Sequence, residues 1–207
     1  YFISCEAQNN KNKVEKTEKA VQQLDNYKLD VSISDLANQE IYLAYHFGNK
    51  QYMKDTLLLN EKGKGSFEGD EPLKGGIYLI VFPNKKYFEF IVNNENFSIA
   101  TDTSNPMESL VIEGSRENEL YLEDMAFIRQ KQEQRKSIQE QLKAGDISEK
   151  KEKQLKDELS GLDEEVKAYR AELISENEGL FYPKFLKTLE NPEVPEEVKN
   201  SSDSNAA

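Results

Sequence analysis

One cysteine and one histidine bound the nucleophilic and metal chemistry open to this chain. Cys5 has no second cysteine, so neither an internal disulfide nor a CxxC redox pair exists. His46 alone builds no His-based metal cluster. It sits in Ile41-Tyr42-Leu43-Ala44-Tyr45-His46-Phe47, where alternation sets Leu43, Tyr45 and Phe47 on the apolar face and His46 with Tyr42 and Ala44 on the other. A histidine there reads as solvent-side or hydrogen-bonded, because no Ser or Cys nucleophile pattern and no acidic orienter stand at recognisable spacing. No acid–base constellation emerges elsewhere, so this chain is expected to be non-catalytic, with no cofactor and no metal. The strand tyrosines Tyr42, Tyr45, Tyr52, Tyr78 and Tyr87 form either a ligand-stacking face or ordinary sheet positions with phenols at the rim.

Tyr1-Phe2-Ile3-Ser4-Cys5 resembles the last part of a bacterial lipoprotein signal, with small Ser4 before the cysteine and Phe2 where Leu is usual. That resemblance implies Cys5 as the lipidated first residue, a membrane tether that needs no spanning helix. The alternative is a stray cysteine in a disordered end. The chain does not begin with Met, and both ends are expected to be cut from something longer. Residues 1–26 then read as signal remnant and polar tether, with Gln8-Asn9-Asn10-Lys11-Asn12-Lys13 at the centre.

The elements that must position these residues are bounded by size and charge. A length of 207 residues allows one ordinary domain or a smaller one with an appendage. Net charge is −12, which argues against a nucleic-acid partner, since phosphate backbones need a clustered positive surface. No apolar run approaches the ~20 residues of a membrane-spanning helix.

Strand signals run from Tyr27 to Gly114. The apolar stretch Ile77 to Phe82 marks a strand covered on both faces. Phe88, Phe90 and Val92 alternate with Tyr87, Glu89 and Ile91, and Phe97 with Ile99 follows an Asn-rich break. Gly75 to Asp102 therefore reads as an antiparallel meander. With the segments on either side, about eight short strands predict an antiparallel β-sandwich or open barrel over residues 27–114.

After Gly114 the period changes. Ser115 is placed to cap a helix carrying Glu117 and Glu119 in its first turn, with Leu120, Tyr121, Met125 and Ile128 as its stripe. Arg129 to Ser137 holds no apolar residue. Ala144-Gly145-Asp146 breaks the helix, and Asp146 with Glu149 reads as a capping box. Leu155, Leu159, Leu162, Val166, Tyr169 and Leu173 then form a heptad seam on a second helix. A long helical hairpin plus a short helix, Leu180 to Leu189, is expected over residues 115–190. Opposed about Gly145, Leu155 and Leu159 meet the polar stretch Lys131 to Arg135. The stripe Leu155, Leu159, Leu162, Val166, Tyr169 is therefore a candidate docking surface for a second copy of the chain or a further domain; the other reading is a solvated pair with a narrow seam. Residues 191–207, acidic and Ser/Asn-rich, read as a disordered tail or a linker.

A Gly-x-Phe turn (Gly65, Phe67), a Tyr-bearing apolar strand (Tyr78), an Asn-rich hairpin (Asn93 to Asn96) and a closing Gly-Ser-x-x-Asn (Gly114, Ser115, Asn118) follow in that order. Together with the exit Asn191-Pro192-Glu193-Val194-Pro195, they resemble the uncharacterised N-terminal β-sandwich domain that precedes the thioredoxin-like domain of Gram-negative envelope thiol–disulfide interchange lipoproteins. The resemblance implies a periplasmic or outer-membrane-anchored module in the cell envelope, partnered by a C-terminal thioredoxin-like domain. That domain's CxxC chemistry has no matching position in this chain. The alternative expectation is a free-standing envelope lipoprotein that binds a ligand or protein through its β-domain.

Overall fold

The computed structural model describes residues 24–145 and 147–189. Within them lie eight strands: β1 (Tyr27–Ile33), β2 (Glu40–Phe47), β3 (Lys50–Leu58), β4 (Lys64–Gly69), β5 (Gly76–Val81), β6 (Tyr87–Val92), β7 (Phe97–Thr101) and β8 (Val111–Glu113). Three helices follow: α1 (Arg116–Lys143), α2 (Glu149–Glu176) and α3 (Phe181–Leu189). Cys5 and the expected tail from Asn191 lie outside the described residues.

Alternation builds the sandwich. Tyr27, Leu29, Val31 and Ile33 of β1 are buried, and Lys28 and Asp30 between them are exposed. One sheet has the order β4-β1-β7-β8, the other β3-β2-β5-β6. Their inner faces share a core in which Leu29, Ile33 and Ile99 of the first meet Ile41, Ile80 and Phe90 of the second. The architecture is the expected mainly-β sandwich followed by helices, and it does not close into a barrel.

The three-strand meander is corrected. β5 and β6 pair antiparallel, but β7 crosses to the other sheet and lies parallel to β1, with Val31 beside Ile99. Asn93 to Asn96 is thus a crossover, not a hairpin turn. Asn94 takes a left-handed φ of 55°. Its Oδ1 accepts from the Leu24 N–H at 2.8 Å, and Asn96 Oδ1 accepts from the Lys28 N–H at 2.8 Å. These amides tie the crossing to the entry of β1. Alternation along β6 and β7 is identical in either topology, so sequence periodicity does not distinguish them.

Ser115 caps α1 as expected, accepting from the Asn118 N–H. The cap of α2 differs: Ser148 serves, accepting from the Lys151 N–H, and Asp146 lies outside the described residues. That difference moves the hairpin register. Lys131 pairs with Glu165, and Arg135 with Asp163, so the helices face each other about residues 148 and 149 rather than Gly145. Leu155 and Leu162 accordingly pack with Ile138, Leu142 and Ile147 instead of with the polar stretch. α3 starts at Phe181, which puts Pro183 in its first turn, where a missing N–H costs nothing.

Candidate functional site

A row of aromatic rings crosses the second sheet, one from each strand. Tyr52 of β3 lies opposite Tyr45 of β2, Tyr45 opposite Tyr78 of β5, and Tyr78 opposite Phe90 of β6. Directly opposed side chains in a sheet touch, so the pairing itself assembles the row. Ring centroids are 5.8 Å apart for Tyr45–Tyr52, 5.7 Å for Tyr45–Tyr78 and 6.3 Å for Tyr78–Phe90. Burial falls along the row. Phe90 and Tyr78 belong to the core, Tyr45 is half-buried and Tyr52 is 42% exposed. Phe47, 72% exposed, meets Tyr52 edge-on at 6.4 Å.

At the open end of this row lies a cleft of about 700 Å³. Its opposite wall is the loop Glu71-Pro72-Leu73-Lys74-Gly75, with Leu73 buried in the sandwich core. Burial, with the neighbouring Tyr45, raises the Tyr78 phenol above its ordinary pKa. That phenol donates to the Lys74 carbonyl at 3.0 Å and holds the loop against the strand. A bulge lies on the other side. Leu43 pairs with Asp55 but Ala44 with Met53, so Lys54 is left without a cross-strand partner, and it lines the cleft.

Of the five candidate tyrosines, the fold brings Tyr45, Tyr52 and Tyr78 together. Tyr42 instead donates to Glu40 at 3.3 Å. Tyr87 is half exposed beside Met107 and Tyr121 at a separate small hollow. His46 is half-buried with Nε2 2.9 Å from Glu89 Oε1, a hydrogen-bonded histidine at the cleft rim. Glu89 stands on β6 and reaches His46 across β5, a juxtaposition that spacing along the chain does not reveal.

A second polar assembly joins the sandwich to the helices. Gly114, at φ +93°, turns the chain out of β8 in a conformation other residues resist. Ser115 follows as the cap of α1, and Asn118 lies in the helix's first turn. The fully buried Asn118 amide accepts from the Ile91 N–H at 2.7 Å and donates to the Ile91 carbonyl at 2.7 Å, so it pairs with the free edge of β6 as another strand would. Glu117, 1% exposed, accepts from the Phe181 and Tyr182 N–H groups at 2.7 and 2.8 Å and from Asn93 Nδ2 at 2.7 Å. It caps α3 from another element, with the charge favoured at a helix N-terminus. Two turns on, buried Asp124 accepts from Arg170 Nε and Nη2 at 3.1 and 2.9 Å and from the Tyr182 hydroxyl at 2.6 Å. Burial, with that hydrogen bond to Asp124, drives the Tyr182 phenol far above its ordinary pKa. Burial also works against the Arg170 charge, but the hydrogen bonds and attraction of Asp124 outweigh it, and the Arg170 pKa is raised.

The docking-stripe residues are distributed along α2. Leu155 and Leu162 are buried in the hairpin's outer cluster, with Leu159 partly buried beside them. Val166 is half-buried, and Tyr169 stacks on Phe127 at 4.0 Å. The premise of a seam unmatched within its own hairpin is therefore corrected, because the true register supplies Ile138 and Leu142.

No curated protein matches the chain. A domain of unknown function, DUF4369, spans residues 27–121. The DUF4369 match runs past β8 into α1, so it takes in Gly114, Ser115, Glu117 and Asn118 along with both sheets. The aromatic row and the joint to the helices both draw on it, and Asp124, Arg170 and Tyr182 lie beyond it. Among solved structures, one match is the 5-hydroxyisourate hydrolase of Klebsiella pneumoniae, 10% identical, covering 45% of this chain and 94% of that one at a TM-score of 0.27. A likeness that low carries no argument about this chain.

Proposed function

We propose that this chain is a non-catalytic module that positions a thioredoxin-like domain, or that domain's substrates, in the cell envelope of a Gram-negative bacterium, tethered through a lipidated Cys5. The observation that supports this reading is the joint. Buried Asn118 pairs with the Ile91 backbone of the sandwich, and buried Glu117 and Asp124 hold α2 and α3 to α1 through charge-assisted hydrogen bonds, an arrangement suited to hold a partner at a set distance and angle. The partner, the tether and the envelope setting come from the resemblance carried by the order of motifs.

The test is a disulfide-exchange assay on the full protein, after its gene is read for a downstream CxxC domain. The reading expects exchange with a small disulfide to be unchanged by Asp124→Ala, and exchange with a folded protein disulfide to fall. Absence of a CxxC domain in the full protein would overturn it.

A second reading, a free-standing envelope lipoprotein that binds a ligand or protein through its β-domain, is favoured by the aromatic cleft.

A further inference from the structure

The cleft at the end of the aromatic row has a lining that selects among ligands. Its walls combine the partly exposed rings of Tyr45, Tyr52 and Phe47 with two lysines, Lys54 and Lys74. Neither lysine has an ion-pair partner among the described residues, although Asp and Glu outnumber Lys and Arg 39 to 27 in the whole chain. His46 at the rim is bonded to Glu89, which lies outside the lining, and Glu71 is the one acidic side chain within it. The two cations approach from opposite sides: Lys54 from the bulge of β3, Lys74 from the loop that Tyr78 anchors. The volume of about 700 Å³ suits a small molecule rather than a macromolecule.

The geometry points to a binding site for a small, ring-bearing anion, its ring against Tyr52 and Phe47 and its acidic group between Lys54 and Lys74. This deepens the ligand-binding reading above and rests on it. Exposed tyrosine and phenylalanine faces offer stacking area to a flat ring at small entropic cost. The bulge serves that end, because a regular β3 would pair Lys54 across the sheet instead of releasing it beside the ring row. Two ammonium groups near a partly desolvated anion attract it more strongly than they would in open solvent.

The test compares two dyes that differ by one sulfonate, 8-anilinonaphthalene-1-sulfonate and neutral N-phenyl-1-naphthylamine, titrated by fluorescence. The sulfonate should bind at one site, about tenfold tighter than the neutral dye. The double variant Lys54→Gln/Lys74→Gln should erase that difference, and Tyr52→Ala should weaken both dyes. These side chains are on the surface, and a melting curve for each variant confirms that it folds. Equal affinity for the two dyes, with both lost in Tyr52→Ala, overturns the anion site and leaves the ligand-binding reading standing. Binding that ignores Tyr52→Ala, or no binding of either dye, overturns both.

Discussion

Asn118 does with one side chain what a ninth strand would otherwise do. β6 is an edge, and an open edge leaves backbone groups to be satisfied. Asn118 satisfies both groups of Ile91 and also donates to Ser115 Oγ, which accepts from the Asn118 N–H in turn. Replacing it with Ala orphans a buried N–H and a buried C=O. Asn118→Ala should therefore cost about 2–4 kcal/mol, read from the midpoint of urea unfolding. Glu95 tests the same corner by pH. Burial raises its pKa, nearby Glu117 and Glu119 raise it further, and the hydrogen bond from Ser115 with a backbone bond from Arg116 opposes. The folded state thus holds that proton more tightly than the unfolded state. Stability from this group is full below the ordinary value of 4.5 and is lost as pH rises through the raised one. Glu95→Gln should flatten the stability profile over that window and stabilise the protein at neutral pH relative to wild type, with no gain at pH 4. Of these residues the sequence shows the cap, since Ser115 precedes a helical stripe. It hides the rest. Glu117 reads there as a first-turn charge, and only the position of Asp124 inside the stripe of Leu120, Tyr121 and Ile128 hints at burial.

At the scale of elements, strand existence is legible because period-two alternation is strong in β1, β6 and β7. Strand partnership is not, because alternation carries no information about neighbours. The same holds for the hairpin. Both helices follow from their stripes and caps, but the register depends on where the loop ends, and Ser148 rather than Asp146 ends it. The hairpin has two apolar clusters. Ile138, Leu155 and Leu162 form the outer one, and the inner one holds Leu120, Leu173 and Tyr182 against Ile91. Between them the polar stretch is bridged by Lys131–Glu165 and Arg135–Asp163, pairs whose carboxylates are exposed and whose energetic value is small. The outer half should therefore open on its own. Amides near Ile138 and Leu155 should exchange hydrogen faster than those near Leu120 and Leu173, as read by mass spectrometry. Leu155→Ala, at a site 1% exposed, should cost about 2–5 kcal/mol locally and speed exchange in the outer half, with the sandwich unchanged.

Across the whole molecule, the joint decides whether sandwich and helices move as one. Asp124 is the centre of it, bound by Arg170 from α2 and Tyr182 from α3. Asp124→Ala leaves a partly buried guanidinium without its carboxylate and a buried phenol without its acceptor, and should cost about 3 kcal/mol. The melt should then separate into a sandwich transition and an earlier helical one, seen by comparing near-UV and far-UV signals. A rigid arm is what a positioning module requires, so its rigidity is the point to measure. Spin labels at Asn49→Cys and Ala171→Cys, the latter on the exposed side of the inner half of α2, in a Cys5→Ser background, report the distance from the sandwich to the joint end of the hairpin by pulsed electron resonance. A single narrow distance distribution that broadens in Asp124→Ala is the result expected of a locked joint. A broad distribution in the otherwise unaltered chain would contradict it.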